Sequence, residues 1–122
     1  MNKKPDVLRD KTFAFAKQIV LLYQKLEEKR RFFDLNKQLL RSGTNPGAMV
    51  REAGGAESGR DFIHKLSIAQ KEIGETIYWL ELLYETGYIQ QQEYNDLTSD
   101  AKEILRILIA SIKTKKKNLS TS

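Results

Sequence analysis

Apolar residues recur at steps of three and four along most of the chain, and no alternating run of the kind a half-buried strand needs is present. In the first block Phe13, Ala16, Ile19, Val20, Tyr23 and Leu26 form a wide apolar face. Pro5 and Asp6 supply a start, and the charged run Glu27 to Arg31 supplies a stop. The second block, Phe33 to Glu57, carries Leu35, Leu39, Gly43, Pro46, Val50 and Ala53, with small residues in its middle. An interior proline costs about 3 kcal/mol and each glycine about 1 kcal/mol against alanine. Two outcomes are open: a continuous helix kinked near Pro46, or a break with Asn45 as N-cap and Pro46 in the first turn. The surviving apolar register favours the continuous, kinked form.

The third block is the most regular, with Phe62, Leu66, Ala69, Ile73, Ile77, Leu80 and Tyr84 on one face and Gly87 as a C-terminal stop. The fourth, Gln91 to Lys113, repeats the pattern with Tyr94, Leu97, Ala101, Ile104, Leu105, Leu108 and Ile112. Four amphipathic helices with short connections predict an all-α fold, an antiparallel up-down four-helix bundle. The expected domain is residues 1–112, followed by a polar, basic and mobile tail over residues 113–122.

The stretch REAGGAESGRDF, Arg51 to Phe62, has the Gly-x4-Gly spacing of a phosphate loop at Gly54 and Gly59. Arg60-Asp61 stands where such a loop has Lys-Ser/Thr, and a helix rather than a buried strand precedes it. Ser58 and Asp61 instead resemble a capping box for the third helix. The stretch reads as a capped hinge.

Composition narrows the chemistry. With 40% hydrophobic and 30% charged residues over 122 positions, the chain has the make-up of one globular domain. No apolar run approaches the roughly 20 residues of a membrane span, no membrane association is expected, and a cytoplasmic location is the default. Cysteine is absent, and the one histidine, His64, occurs in a lone Asp61-x-x-His64 pair, whereas a di-metal bundle needs two Glu-x-x-His pairs. No catalytic residue, metal site or cofactor is therefore expected. Glu27-Glu28 and Glu72/Glu75 read as solvated helix surface.

Charge is uneven. Residues 1–71 hold fifteen cations against eight acids, residues 72–112 two against eight, and the segment from Lys113 onward four against none. Lys29, Arg30 and Arg31, then Lys37 and Arg41, then Lys113, Lys115, Lys116 and Lys117 form a candidate phosphate-contacting set. No basic–aromatic platform for stacking bases is apparent, so sequence-specific readout is not expected. On the third helix Ile68, Trp79 and Leu82 form a second apolar stripe away from the core face, a candidate subunit interface.

The segment Gln38 to Ile89 carries Gln38-Leu39-Leu40-Arg41-Ser42, Glu52-Ala53, Phe62-x-x-Lys65-Leu66-x-Ile68-Ala69, Glu72-x-x-Glu75, Tyr78-Trp79-Leu80 and Gly87-Tyr88-Ile89. With Phe13-Ala14-Phe15-Ala16, these motifs resemble the bacterial four helix bundle proteins encoded in 23S rRNA intervening sequences, over about residues 7–112. The resemblance implies a subunit of a homopentameric ring. It extends to the accessory proteins of diversity-generating retroelements, basic pentamers that bind nucleic acid and a reverse transcriptase. The acidic 72–112 block departs from that strongly basic type. The expected partners are other copies of the chain and RNA or DNA, favouring structured RNA on the family context; the expected role is non-enzymatic. The alternative is a protein–protein scaffold that binds no nucleic acid.

Overall fold

The computed structural model describes residues 4–29 and 33–121. Four helices follow one another: α1 (Lys4–Glu28), α2 (Phe33–Gly54), α3 (Gly59–Glu85) and α4 (Gln91–Thr121). Each packs on its chain neighbours, and α1 closes the bundle against α4, the loosest of the four seams. Along each seam, residue numbers rise on one helix as they fall on the other. Lys11 and Lys25 of α1 meet Glu103 and Glu93 of α4, while Arg41 and Glu52 of α2 meet Glu72 and Lys65 of α3.

The core of α1 is Leu8, Phe15, Ile19, Leu22 and Leu26, with Thr12 buried among them. This run repeats at steps of three and four, but it is rotated from the face expected from Phe13, Ala16 and Val20. Phe13 and Val20 lie exposed. Thr12 reconciles its hydroxyl with burial by donating to the Leu8 carbonyl at 2.8 Å. On α2, α3 and α4 the expected apolar faces do meet the core, through Leu39, Val50 and Ala53, through Leu66, Ala69, Ile73 and Leu80, and through Leu97, Ala101, Ile104, Leu108 and Ile112.

Pro46 lies inside α2, which is one continuous helix. The break with Asn45 as N-cap does not form. Packing holds the segment: an ideal Cβ placed on Gly43 would stand 2.7 Å from Ile19 Cγ1, so α1 and α2 touch where glycine leaves room. On the α3 side the Ser42 and Thr76 hydroxyls share a hydrogen bond of 2.9 Å, both fully buried.

The capped hinge forms as expected at its core. Ser58 is the N-cap of α3 and accepts from the Asp61 amide at 3.1 Å, although Asp61 reaches back to the Glu57 amide rather than to that of Ser58. At its other end α3 closes through Gly87, whose φ is +85°, with the Gly87 amide on Tyr84 and the Tyr88 amide on Leu83. That is the paired-bond C-cap in which glycine takes the left-handed position.

The helical end of α4 differs most from expectation. Instead of a tail beyond Ile112, α4 runs on through the lysines to Thr121. Lys115 and Leu119 follow Ile104, Leu108 and Ile112 at steps of three and four, Lys115 half-buried and Leu119 still 41% exposed. The Lys115 ammonium lies 5.3 Å from the centre of the Phe62 ring, and Leu119 packs where Gly59 has no side chain.

Candidate nucleic-acid interface

The continuation of α4 organises cations that looked scattered in the sequence. At about 100° per residue, Lys102, Arg106, Lys113, Lys116 and Lys117 fall within about a third of the helix circumference. All five are exposed, and Ile109, 46% exposed, sits among them. None of Lys102, Arg106, Lys113 and Lys116 forms a salt bridge with a described acid. Lys115, counted with its neighbours in the sequence, points the other way and is half-buried against Phe62. In the sequence the acids of the 72–112 block mask Lys102 and Arg106; their i, i+4, i+11 spacing to Lys113 is the signal that marks them.

The remaining candidates are elsewhere. Lys37 lies in the first turns of α2, whereas Lys115 covers Phe62 just beyond the other end of that helix, so about 30 Å separates Lys37 from Lys115. Lys29 is exposed in the turn after α1, and Arg41 sits 3.9 Å from Glu72. Arg30 and Arg31 lie outside the described residues. The set is thus two separate surfaces and not one.

Phe13 is a second feature the sequence concealed. Half exposed at 49%, its ring has the Lys17 ammonium at 5.1 Å and the Arg51 guanidinium at 5.0 Å. This is an aromatic ring flanked by cations, the combination not apparent in the sequence because Phe13 was assigned to the core.

Ile68, Trp79 and Leu82 are half-buried within one chain, and Trp79 packs against the core cluster. Its neighbour Tyr78 meets it edge-on at 5.0 Å and is the more exposed of the two, at 56%. On the same flank, Glu72 is buried rather than solvated, at 5% exposure. Burial pushes its carboxyl above the usual 4.5, with Glu75 adding to the shift and Arg41 opposing it. His64 is exposed on α3, and among the described residues no group of three or more His, Cys, Asp or Glu is placed to hold a metal. Nor, among them, is any helix long and apolar enough to cross a membrane.

Between α1 and α4 lies an open trough of about 850 Å³. Its α4 wall is acidic, through Glu93, Asp96, Asp100 and Glu103. One helix therefore carries an acidic wall towards α1 and a basic stripe outward.

With this architecture in place, relatives can be compared. A family described as 23S rRNA-intervening sequence protein matches residues 6–110. The chain belongs to this family. A crystal structure of a protein of unknown function from the S23 ribosomal protein family of Bacteroides thetaiotaomicron is similar throughout, with 49% identity and a TM-score of 0.87. The match covers 90% of this chain and 98% of that one. None of the curated proteins matches this family member.

Proposed function

We propose that this chain is a non-enzymatic, homo-oligomeric helical bundle that binds structured RNA through the outer face of α4. The observation that carries the reading is the stripe of Lys102, Arg106, Lys113 and Lys116, exposed on one helix and in no salt bridge with a described acid. Cations so placed neutralise phosphates without fixed geometry, releasing counterions as they do so. The family's connection with rRNA intervening sequences favours RNA over DNA as the polyanion. Phe13 with Lys17 and Arg51 offers a ring against which an unpaired base could stack. Ring closure by identical subunits, as the resemblance to pentameric bundles implies, would repeat the stripe about an axis. The flank bearing Ile68, Trp79 and Leu82 is the surface assigned to subunit contact.

Replacing Lys102, Arg106 and Lys113 together with glutamine tests the assignment. Affinity for a labelled structured RNA should fall at least about tenfold at low salt, and the slope of log affinity against log salt should shrink by about three. Helical content and molecular mass should not move. RNA binding as tight as that of the unaltered chain would remove α4 from the interface. Separately, Leu82→Glu should shift the mass in sedimentation towards monomer; an unchanged mass would place that flank inside a subunit.

A further inference from the structure

The α1–α4 trough is unlike the other seams. Two salt bridges span it, Lys11 to Glu103 at 3.0 Å and Lys25 to Glu93 at 3.2 Å. The two lysines are fourteen residues apart on α1, so about 21 Å of trough lies between the bridges. Within that span α1 presents Ala14, Gln18 and Leu21, all uncharged, and Leu21 is 54% exposed. Facing them, α4 presents Asp96 and Asp100. Gln92 donates to Asp96 at 2.9 Å, but no described cation forms a salt bridge with either aspartate.

Two aspartates one turn apart on a helix repel each other, and a neighbouring cation relieves that repulsion. An exposed leucine across from them gains by being covered. Nucleic acid is repelled by this wall. An uncharged apolar segment would strip water from two carboxylates and return nothing to them. A helix with an apolar stripe and lysine or arginine along one flank satisfies both walls at once, and a straight trough between two helices is the shape such a helix enters. We propose that the α1–α4 trough is a docking groove for a basic amphipathic helix of a partner protein, about four turns long. The apolar stripe would rest on Ala14 and Leu21 while the basic flank faces Asp96 and Asp100. This inference does not rest on RNA binding, which uses the adjoining outward face of α4.

The test uses the full chain and three labelled synthetic helical peptides of about four turns. The first has a leucine stripe flanked by lysines, the second the same stripe flanked by glutamates, and the third the first composition scrambled so that no stripe forms. Fluorescence anisotropy should show the first binding at least about tenfold more tightly than either control. Asp96→Lys with Asp100→Lys should abolish that advantage, and Leu21→Ser should reduce it. Asp96→Asn with Asp100→Asn serves as the second pair if helical content falls in the first. RNA affinity should not weaken in any of these variants, which separates failure of this groove from failure of the RNA reading.

Equal binding of the lysine and glutamate peptides would overturn the proposal, as would equal binding of the scrambled peptide. So would full binding by the aspartate variants. A fall in sedimenting mass on Asp96 and Asp100 substitution would also overturn it. The groove would then belong to a second copy, whose Lys102 and Arg106 around Ile109 supply the same chemistry.

Discussion

The α2–α3 seam and the α1–α4 seam are built from opposite materials. On the α2–α3 seam the small side chains of Ser42 and Thr76 are fully buried, and their hydroxyls bond to each other. Between α1 and α4 two salt bridges, Lys11–Glu103 and Lys25–Glu93, span an open trough in which the uncharged Ala14, Gln18 and Leu21 face Asp96 and Asp100. Close packing leaves no space for a ligand; the bridged seam leaves a trough. The tight seam is therefore where stability resides, and the loose one is where another molecule can be received.

The two seams should respond very differently to one and the same substitution. Leu39→Ala, in a fully buried site on α2, should cost about 2–5 kcal/mol in chemical denaturation. Leu21→Ala, beside the trough, should change stability by no more than about 0.5 kcal/mol. Comparable losses at both would mean the α1–α4 seam is packed as tightly as the rest.

Next in size is Gly43→Ala. Its new methyl meets the β-branched Ile19 side chain, and overpacking of this kind costs about 1–3 kcal/mol, offset by up to about 1 kcal/mol of helix propensity. A stabilised variant would show that α1 and α2 are not in contact there.

Glu72 adds a pH dependence to the tight seam. Its folded carboxyl titrates above the ordinary 4.5, so the folded state holds its proton more strongly than the unfolded state does. Below 4.5 both states are protonated and the group is neutral to stability; as pH rises through the raised folded value, stability falls. Glu72→Gln removes that loss. Melting temperatures of variant and parent should differ little at pH 4 and diverge in favour of the variant towards neutral pH. Divergence in the opposite sense would mean that the Arg41 pairing outweighs burial.

The smallest effect belongs to the loose seam. Lys11→Ala removes a bridge whose two side chains are 38% and 46% exposed, and should cost no more than about 1 kcal/mol, less at high salt. A loss of several kcal/mol would make that bridge a structural clamp.

Much of the fold was legible because periodicity survives wherever a helix faces a core. Leu66, Ala69, Ile73 and Leu80 on α3, and Leu97 through Ile112 on α4, are buried as their spacing demands. On α1 two apolar registers compete, one through Phe13 and one through Phe15; only tertiary context, with Thr12 among the buried residues, selects the face of Leu8, Phe15, Ile19 and Leu22. The end of α4 was missed for a different reason. Lysines mask an inward position, yet Leu119 falls seven residues after Ile112, and Gly59 leaves a place for it.

The candidate site was less legible than the fold. Sequence proximity grouped Lys113 with Lys115, while the helix turns them to opposite sides and aligns Lys113 with Lys102 and Arg106. Net charge by block obscured this, because the acids of residues 72–112 and the cations of α4 occupy different faces. Glu72 was concealed likewise: an acid in a charged run is ordinarily solvated, and its burial follows from the closeness of α2.

The decisive measurement is the binding of a labelled structured RNA to the unaltered protein by fluorescence anisotropy across a series of salt concentrations. Binding should be sub-micromolar at low salt, with a linear fall of log affinity against log salt whose slope counts the phosphates neutralised. No binding at the lowest salt would contradict it, and the basic face of α4 would then be a solvated surface.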